Sequence, residues 1–153
     1  EADAVAQPFA QNGHIIKVDV EEASIWVDRL RLRQVLRNLL SNAVKYGGGK
    51  LEVRGWVDGD QYEWMVVDDG PGIPKELEDR LFHRYIHSLT FQPAVVGGVG
   101  LGLSIVKSLV EGMGGEVSYR RVLGETIFSV KVPLAKSVPE STKRAAEMEP
   151  VSP

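Results

Sequence analysis

The sequence predicts an α/β (α+β) sandwich of two layers, a mixed but mainly antiparallel sheet with helices packed on one face. Strand-like runs come in adjacent pairs, and their order, β-β-α-β-β-α-α-β-β, lacks the strand–helix alternation of a parallel sheet. Two long segments carry apolar residues at helical spacing. Short glycine-containing turns join neighbouring strand-like runs into hairpins.

Each element has its own signal. Residues 14–20 alternate at Ile16, Val18 and Val20, the period of a half-buried strand, and 24–27 predicts a short second strand. Asp28 is placed to cap the helix that follows. The apolar positions Leu32, Val35, Leu36, Leu39, Leu40, Ala43 and Val44 give that helix an unbroken buried stripe. Gly47-Gly48-Gly49 ends it, with glycine expected in the left-handed conformation of a helix C-terminus. Residues 50–57 and 61–67 predict a hairpin turned at Asp58-Gly59-Asp60. The run 68–74 (DDGPGIP) is turn chemistry, 75–85 predicts a short helix, and 86–98 a loop. A second long helix starts at 101 or 102 and runs to Met113, where Gly114-Gly115 stops it. Residues 116–121 and 125–132 form a last hairpin around Gly124. The domain is expected to span residues 1–134; residues 135–153, with few large apolar side chains, are expected to form a disordered tail.

At 153 residues the chain is one domain, long enough to bury roughly two-thirds of its unfolded surface without a staple. The absence of cysteine excludes disulfides, thiol catalysis and cysteine zinc sites. With 18 basic against 21 acidic residues and a net charge of −3, there is no electrostatic case for nucleic acid. The uncharged run 88–106 is broken by Pro93 and four glycines, so it is not a membrane span. The opening EADAVAQPFA has neither a Met nor a signal-peptide core, which gives the expectation of a fragment of a longer chain.

Three strings carry chemistry. Asn38, Asn42 and Lys45 fall on one stripe of the first long helix, away from its apolar face. Two amides and an ammonium suit a metal-bound polyphosphate, because an amide oxygen is a hard neutral ligand and Lys a point charge for phosphate. Taken alone, such a stripe is more often a solvated helix face. Asp68-Asp69-Gly70-Pro71-Gly72-Ile73 follows an apolar strand, so backbone can approach a flat ligand while a carboxylate accepts from it; alone it also reads as a plain turn. Gly97-Gly98-Val99-Gly100-Leu101-Gly102-Leu103-Ser104 runs into a helix and can cradle phosphate with its N–H groups. It lacks the Lys of a P-loop and the spacing of a dinucleotide fingerprint, and in isolation a glycine-rich linker is hard to exclude.

The strings occur together, and the order decides between these readings. NLLSNAVKY, DDGPGI, LFHRYIH and GGVGLGLSIV resemble the N, G1, F and G2 boxes of sensor histidine kinases, over about residues 14–133. Those boxes define the ATP-binding catalytic domain of the gyrase–chaperone–kinase–mismatch-repair superfamily, the Bergerat fold. The resemblance implies ATP and Mg²⁺ as ligands. Asn42 would bind the Mg²⁺, and Asn38 and Lys45 would lie at the phosphates as the catalytic pair. Tyr46 would sit beside the adenine, whose amino group Asp68 would accept. Gly70, Gly72 and Ile73 would shape the base pocket, and Thr126 would line it through water. Gly98, Gly100, Leu101, Gly102 and Leu103 would wrap the phosphates, with Arg84 in or near a mobile lid.

Val99, Gly47-Gly48-Gly49 and His87 depart from the usual boxes, which puts the lid contacts in doubt and leaves Asn42, Asp68 and the glycines intact. His14, His83 and His87 lack the context of a phosphoacceptor histidine. The resemblance therefore implies a monomeric cytoplasmic domain that hands the γ-phosphate to a histidine on a separate dimerisation domain of its parent kinase, upstream of a response regulator. An anti-sigma-factor-type serine kinase on the same fold and a catalytically silent nucleotide-binding module are the alternatives.

Overall fold

A computed structural model describes residues 2–11, 14–83, 99–137 and 139–143. The chain runs α1 (Ala2–Gln11), β1 (Ile16–Val20), α2 (Arg29–Tyr46), β2 (Leu51–Asp58), β3 (Gln61–Asp68), α3 (Lys75–Glu78), α4 (Val99–Gly112), β4 (Glu116–Val122) and β5 (Glu125–Pro133). The five strands form one sheet in the order β1-β2-β3-β5-β4. Only β1 and β2 run parallel; the other three pairings are antiparallel. The predicted mixed, mainly antiparallel sheet is the one observed.

The core lies between the sheet and its helices. α2 contributes Val35, Leu36, Leu39 and Leu40, and α4 contributes Leu103, Val106 and Val110. They meet Val53, Trp64, Val66, Phe128, Val130 and Val132, which share one face of the sheet by the two-residue period of strands. The opposite face holds a smaller cluster of Met65, Val67 and Ile127 with Trp56 against it. α2 begins where the sequence places it, because the Asp28 carboxylate accepts from the N–H groups of Leu30 (2.8 Å) and Arg31 (3.2 Å). Such a cap is worth about 1 kcal/mol. Both hairpins turn on two residues, Gly59-Asp60 and Leu123-Gly124. Leu123 and Gly124 both have positive φ, the twist that a two-residue hairpin requires.

Several expectations need correction. Residues 24–27 do not form a strand; Ile25 makes a single bridge to Leu134, and the chain turns at once into the Asp28 cap. The N-terminal residues form α1, which turns Ala2, Val5, Ala6 and Phe9 to the core at helical spacing; Pro8 inside the run speaks against a helix in the sequence. The helix expected over 75–85 is regular only to Glu78 and continues as turns, with the N–H groups of Arg80 and His83 donating to Leu77 and Arg80 carbonyls. α4 starts two or three residues earlier than expected, at Val99. Where a disordered tail was expected from 135, Ala135–Ser137 forms a 3₁₀ turn, and the Lys143 ammonium stands 5.9 Å from the Trp26 ring. Residues 144–153 lie outside the described residues.

β1 is an edge strand held by β2 alone, and the register sets Lys17 opposite Glu52. Glu52 takes hydrogen bonds from Arg54 (2.7 Å) and Lys17 (2.9 Å), which hold its carboxyl down at about 2. A carboxyl depressed in the folded state stabilises above its unfolded value and stops doing so as pH falls through the folded one. The stability difference between wild type and Glu52→Gln, followed by urea unfolding, is therefore expected to be constant above pH 5 and to shrink between pH 5 and 2. A difference flat across that window would count against the pairing.

Candidate functional site

Register builds one side of the site. Asp68 ends β3 and pairs with Thr126 of β5, which pairs in turn with Arg121 of β4. Residues in register across a sheet share a face, so these three side chains form a row on the helix-covered side. Two residues along the strands, Val66, Phe128 and Tyr119 form the parallel apolar row, with the Tyr119 and Phe128 rings 5.3 Å apart. Asp68 and Thr126 are only 5% and 4% exposed, among the few buried polar side chains of the described residues.

The Asp68 carboxylate is held by its own turn: the Gly70 N–H donates to Oδ1 at 2.9 Å. Burial raises its pKa above the ordinary carboxylate value, and the Gly70 N–H and the Arg121 charge pull it partly back. Arg121 Nη1 donates to the Gly70 carbonyl and to Thr126 Oγ1, both at 2.9 Å. Gly72 has φ +75, open to glycine, and a Cβ there would lie 2.5 Å from Arg121 Nη1. The Ile73 N–H donates to the Tyr119 hydroxyl at 3.1 Å, which ties the DDGPGI turn to the edge strand. Asp69 is engaged elsewhere, accepting from the Lys50 N–H at 2.9 Å.

The helices build the other side. Asn42 is half-buried on α2, and its Nδ2 is enclosed with no hydrogen-bond partner. A Cβ on Gly102 would lie 4.0 Å from that nitrogen, so α4 passes Asn42 at its glycine. Leu103, 1% exposed, anchors α4 in the core beside it. Asn38 and Tyr46 are half-buried and Lys45 is exposed. Gly100 and Leu101 belong to the first turn of α4, where N–H groups have no partner within a helix.

Close approach of backbone joins the two sides. Gly47 at the end of α2 has φ −77 and ψ −176, an extended conformation and not the left-handed one expected. Space is what demands glycine there. A Cβ on Gly47 would overlap the Ala43 carbonyl oxygen and lie 2.9 Å from Asp68 Cβ and Cγ. One on Gly70 would lie 2.5 Å from Gly47 Cα.

The expected residues thus fall into two groups joined through Gly47: Asp68, Gly70, Gly72, Ile73 and Thr126 on one side, Asn42, Gly102 and Leu103 on the other. Arg84 and Gly98 lie outside the described residues. Arg121 and Tyr119 were not anticipated, since YRRV reads as an ordinary edge strand with protective charge. A signal was available: a two-residue turn at Leu123-Gly124 forces Arg121 opposite Thr126.

A family model described as "Histidine kinase-, DNA gyrase B-, and HSP90-like ATPase" matches residues 27–136. The chain belongs to this ATPase family. Curated relatives include the circadian input-output histidine kinase CikA of Synechococcus elongatus, 40% identical over 120 residues, which are 76% of this chain and 15% of CikA. The sensor protein RstB of Escherichia coli is 34% identical over 128 residues, 83% of this chain and 30% of RstB. Full-length ShkA, solved in complex with AMPPNP, superposes with a TM-score of 0.68 at 31% identity over 88% of this chain and 28% of ShkA. The chain thus spans less than a third of each of these proteins, and within them it corresponds to the ATPase domain. The fold is the Bergerat α/β fold of histidine kinase catalytic domains. No helix among the described residues of this ATPase domain is long and apolar enough to cross a membrane.

A carboxyl whose folded pKa is raised burdens the fold above that value, and the burden lifts as pH falls through it. Asp68→Asn in the ATPase domain keeps an oxygen for the Gly70 N–H and removes the buried charge. Its thermal midpoint at pH 7 is expected to equal or exceed that of wild type, with the gap closing as pH falls toward 4. A large loss of stability at pH 7 would contradict this electrostatic account of Asp68.

Proposed function

We propose that this domain binds Mg-ATP and presents the γ-phosphate to a histidine on a separate dimerisation domain of its parent kinase, ahead of a response regulator, in the cytoplasm. The observation that carries the reading is a buried carboxylate acceptor, Asp68, brought into one site with the unpartnered amide of Asn42. Adenine offers an amino donor to the first. The triphosphate and its metal offer charge and lone pairs to the second.

The residues present suit the metal. No group of three His, Cys, Asp or Glu side chains among the described residues is placed to hold an ion. Mg²⁺ commonly keeps its waters and substrate phosphates and takes one or two protein oxygens. The Asn42 amide oxygen would be that ligand, and its enclosed, unpartnered Nδ2 is what an amide awaiting phosphate oxygens looks like. When bound, the ion neutralises charge on the phosphates.

The chain's own side chains position the nucleotide. Asp68 accepts from the adenine amino group, Thr126 lines the base through water, Gly70, Gly72 and Ile73 shape the base pocket, and Tyr46 lies beside the base. Lys45, exposed on the helix that carries Asn42, adds positive charge at the phosphates. Gly100, Leu101, Gly102 and Leu103, at the start of α4, wrap them; Gly98 and Arg84, outside the described residues, are assigned to the phosphates and the lid by the family resemblance. Asn38 stands where related hydrolases carry a glutamate that activates water, and an amide cannot take that proton. The domain therefore holds ATP without spending it on water.

In a fluorescence titration with Mg-ATP, wild type is expected to bind and Asp68→Asn to bind about ten- to a hundredfold more weakly, the effect of losing a charged hydrogen bond. Equal affinity would place the base elsewhere. With labelled ATP the purified domain is expected not to label itself, because His14 and His83 are exposed surface residues without an acceptor's surroundings. Adding the matching dimerisation domain is expected to give weak acid-labile phosphate on that partner, since no tether raises its effective concentration. Acid-stable phosphate on a partner's serine would instead make it a serine kinase.

A further inference from the structure

The row Asp68–Thr126–Arg121 ends in a cation, and the function above gives that cation no role. Arg121 sits on the edge strand with its guanidinium drawn inward. Nη1 uses its two N–H groups on the Gly70 carbonyl and Thr126 Oγ1, each at 2.9 Å. A guanidinium has five N–H donors in a fixed plane, so those of Nη2 and Nε remain. The group is packed against Gly72, with hypothetical Cβ distances of 2.5 Å to Nη1 and 3.0 Å to Cζ. The guanidinium thus stands among Gly70, Gly72 and Thr126, the residues that the reading above assigns to the base beside Asp68.

The chemistry of the two purines makes this arrangement selective. Along its pairing edge adenine presents a donor, the amino group, next to an acceptor, ring N1. Guanine presents the reverse, a carbonyl acceptor next to an N1–H donor. Resting on the ATP reading above, we infer that Arg121 is a specificity-determining residue, whose guanidinium donates to adenine N1 while Asp68 accepts from the adjacent amino group. The acceptor–donor pair matches adenine at both positions and opposes guanine at both. A carboxylate alone rejects guanine through one mismatched contact, strongly because Asp68 is buried and would be left unpaired; the guanidinium adds a second mismatch. A plug is the competing role for the same geometry, with Arg121 filling the base site until a nucleotide displaces it.

The two roles predict opposite results. Arg121 is exposed on an edge strand and contributes no apolar core contact, so Arg121→Ala and Arg121→Met are expected to fold, checked by circular dichroism and melting. Met keeps an unbranched stem without donors and tests the guanidinium apart from packing. Competition titrations with ATP, 1-deaza-ATP, which lacks the N1 acceptor, and GTP read the result. Wild type is expected to bind ATP about tenfold more tightly than 1-deaza-ATP, the effect of one hydrogen bond to a charged group. Both variants are expected to bind ATP about tenfold more weakly than wild type, to treat ATP and 1-deaza-ATP alike, and to reject GTP less sharply. An undiminished preference for ATP over 1-deaza-ATP in the variants overturns the inference. Tighter ATP binding by either variant also overturns it, and makes Arg121 a plug. Failure of wild type to bind ATP at all would instead remove the nucleotide reading itself, which separates the two failures.

Discussion

Where α2 ends and β3 ends, two stretches of backbone approach so closely that neither tolerates a side chain. Gly47 lies against Asp68 and Gly70, and Gly48 against Asp69. Everything that makes the site depends on this contact. α2 carries Asn42 one turn before Gly47, while β3 delivers Asp68 directly beneath it. A bulkier joint would lift the helix off the strand end and separate the amide from the carboxylate. Of the three glycines that depart from the usual pattern of the family, Gly47 and Gly48 are in this chain a steric fitting, whereas Gly49 has open space around it, and Gly47 serves by size and not by left-handed geometry.

The same contact explains why Asp68 is buried, and burial is both a burden and a means. An ionised carboxylate shielded from water is costly unless hydrogen bonds and opposite charge replace hydration. Here a single backbone N–H and the Arg121 charge offset the burial, yet its pKa still stands raised. A stability-driven sequence would place an amide or an apolar residue there. Retaining a strained carboxylate fits a site that needs an acceptor in a low-dielectric pocket, where one hydrogen bond discriminates more than it would in water. The fold meets that demand by ending β3 at Asp68, where it is paired with Leu51 of β2 on one side and Thr126 of β5 on the other.

What the sequence made legible follows from which signals are local. The α2 stripe from Leu32 to Val44, the Asp28 cap and the Asp-Gly hairpin are short-range features, and each appears as read. Residues 24–27 looked like a strand by composition, but strand existence depends on a partner, and β5 offers only Leu134 beyond its last ladder pair. α1 has the period of a helix in Ala2, Val5, Ala6 and Phe9, but Pro8 within those ten residues is a local signal against one. In the site, Asp68, Thr126, Gly72 and Asn42 were legible through motif and order. Arg121 was not, because its role arises from register across two strands, which a reading along the chain does not compute. The two-residue turn at Leu123-Gly124 held that information, in the form of a pairing and not of a motif.

The division of the site between sheet and helices bears on how a nucleotide would be handled. On the proposed reading, base contacts come from residues fixed by ladder hydrogen bonds: Asp68 and Thr126 face each other, and Tyr119 clamps the following turn through Ile73. Phosphate contacts come, on the same reading, from α2 and from the first turn of α4. The base end is on that reading held within one sheet, while the phosphate end joins two helices that are distant in sequence. On the proposed reading this asymmetry is useful. A rigid base anchor secures selectivity without conformational change. The γ-phosphate can then be left accessible to a nucleophile from another domain, since neither Asn38 nor an adjacent side chain on α2 can activate water in its place. An amide in place of a base at Asn38 protects bound ATP in a way that shielding alone does not, because water can always reach a phosphate that a partner histidine must also reach.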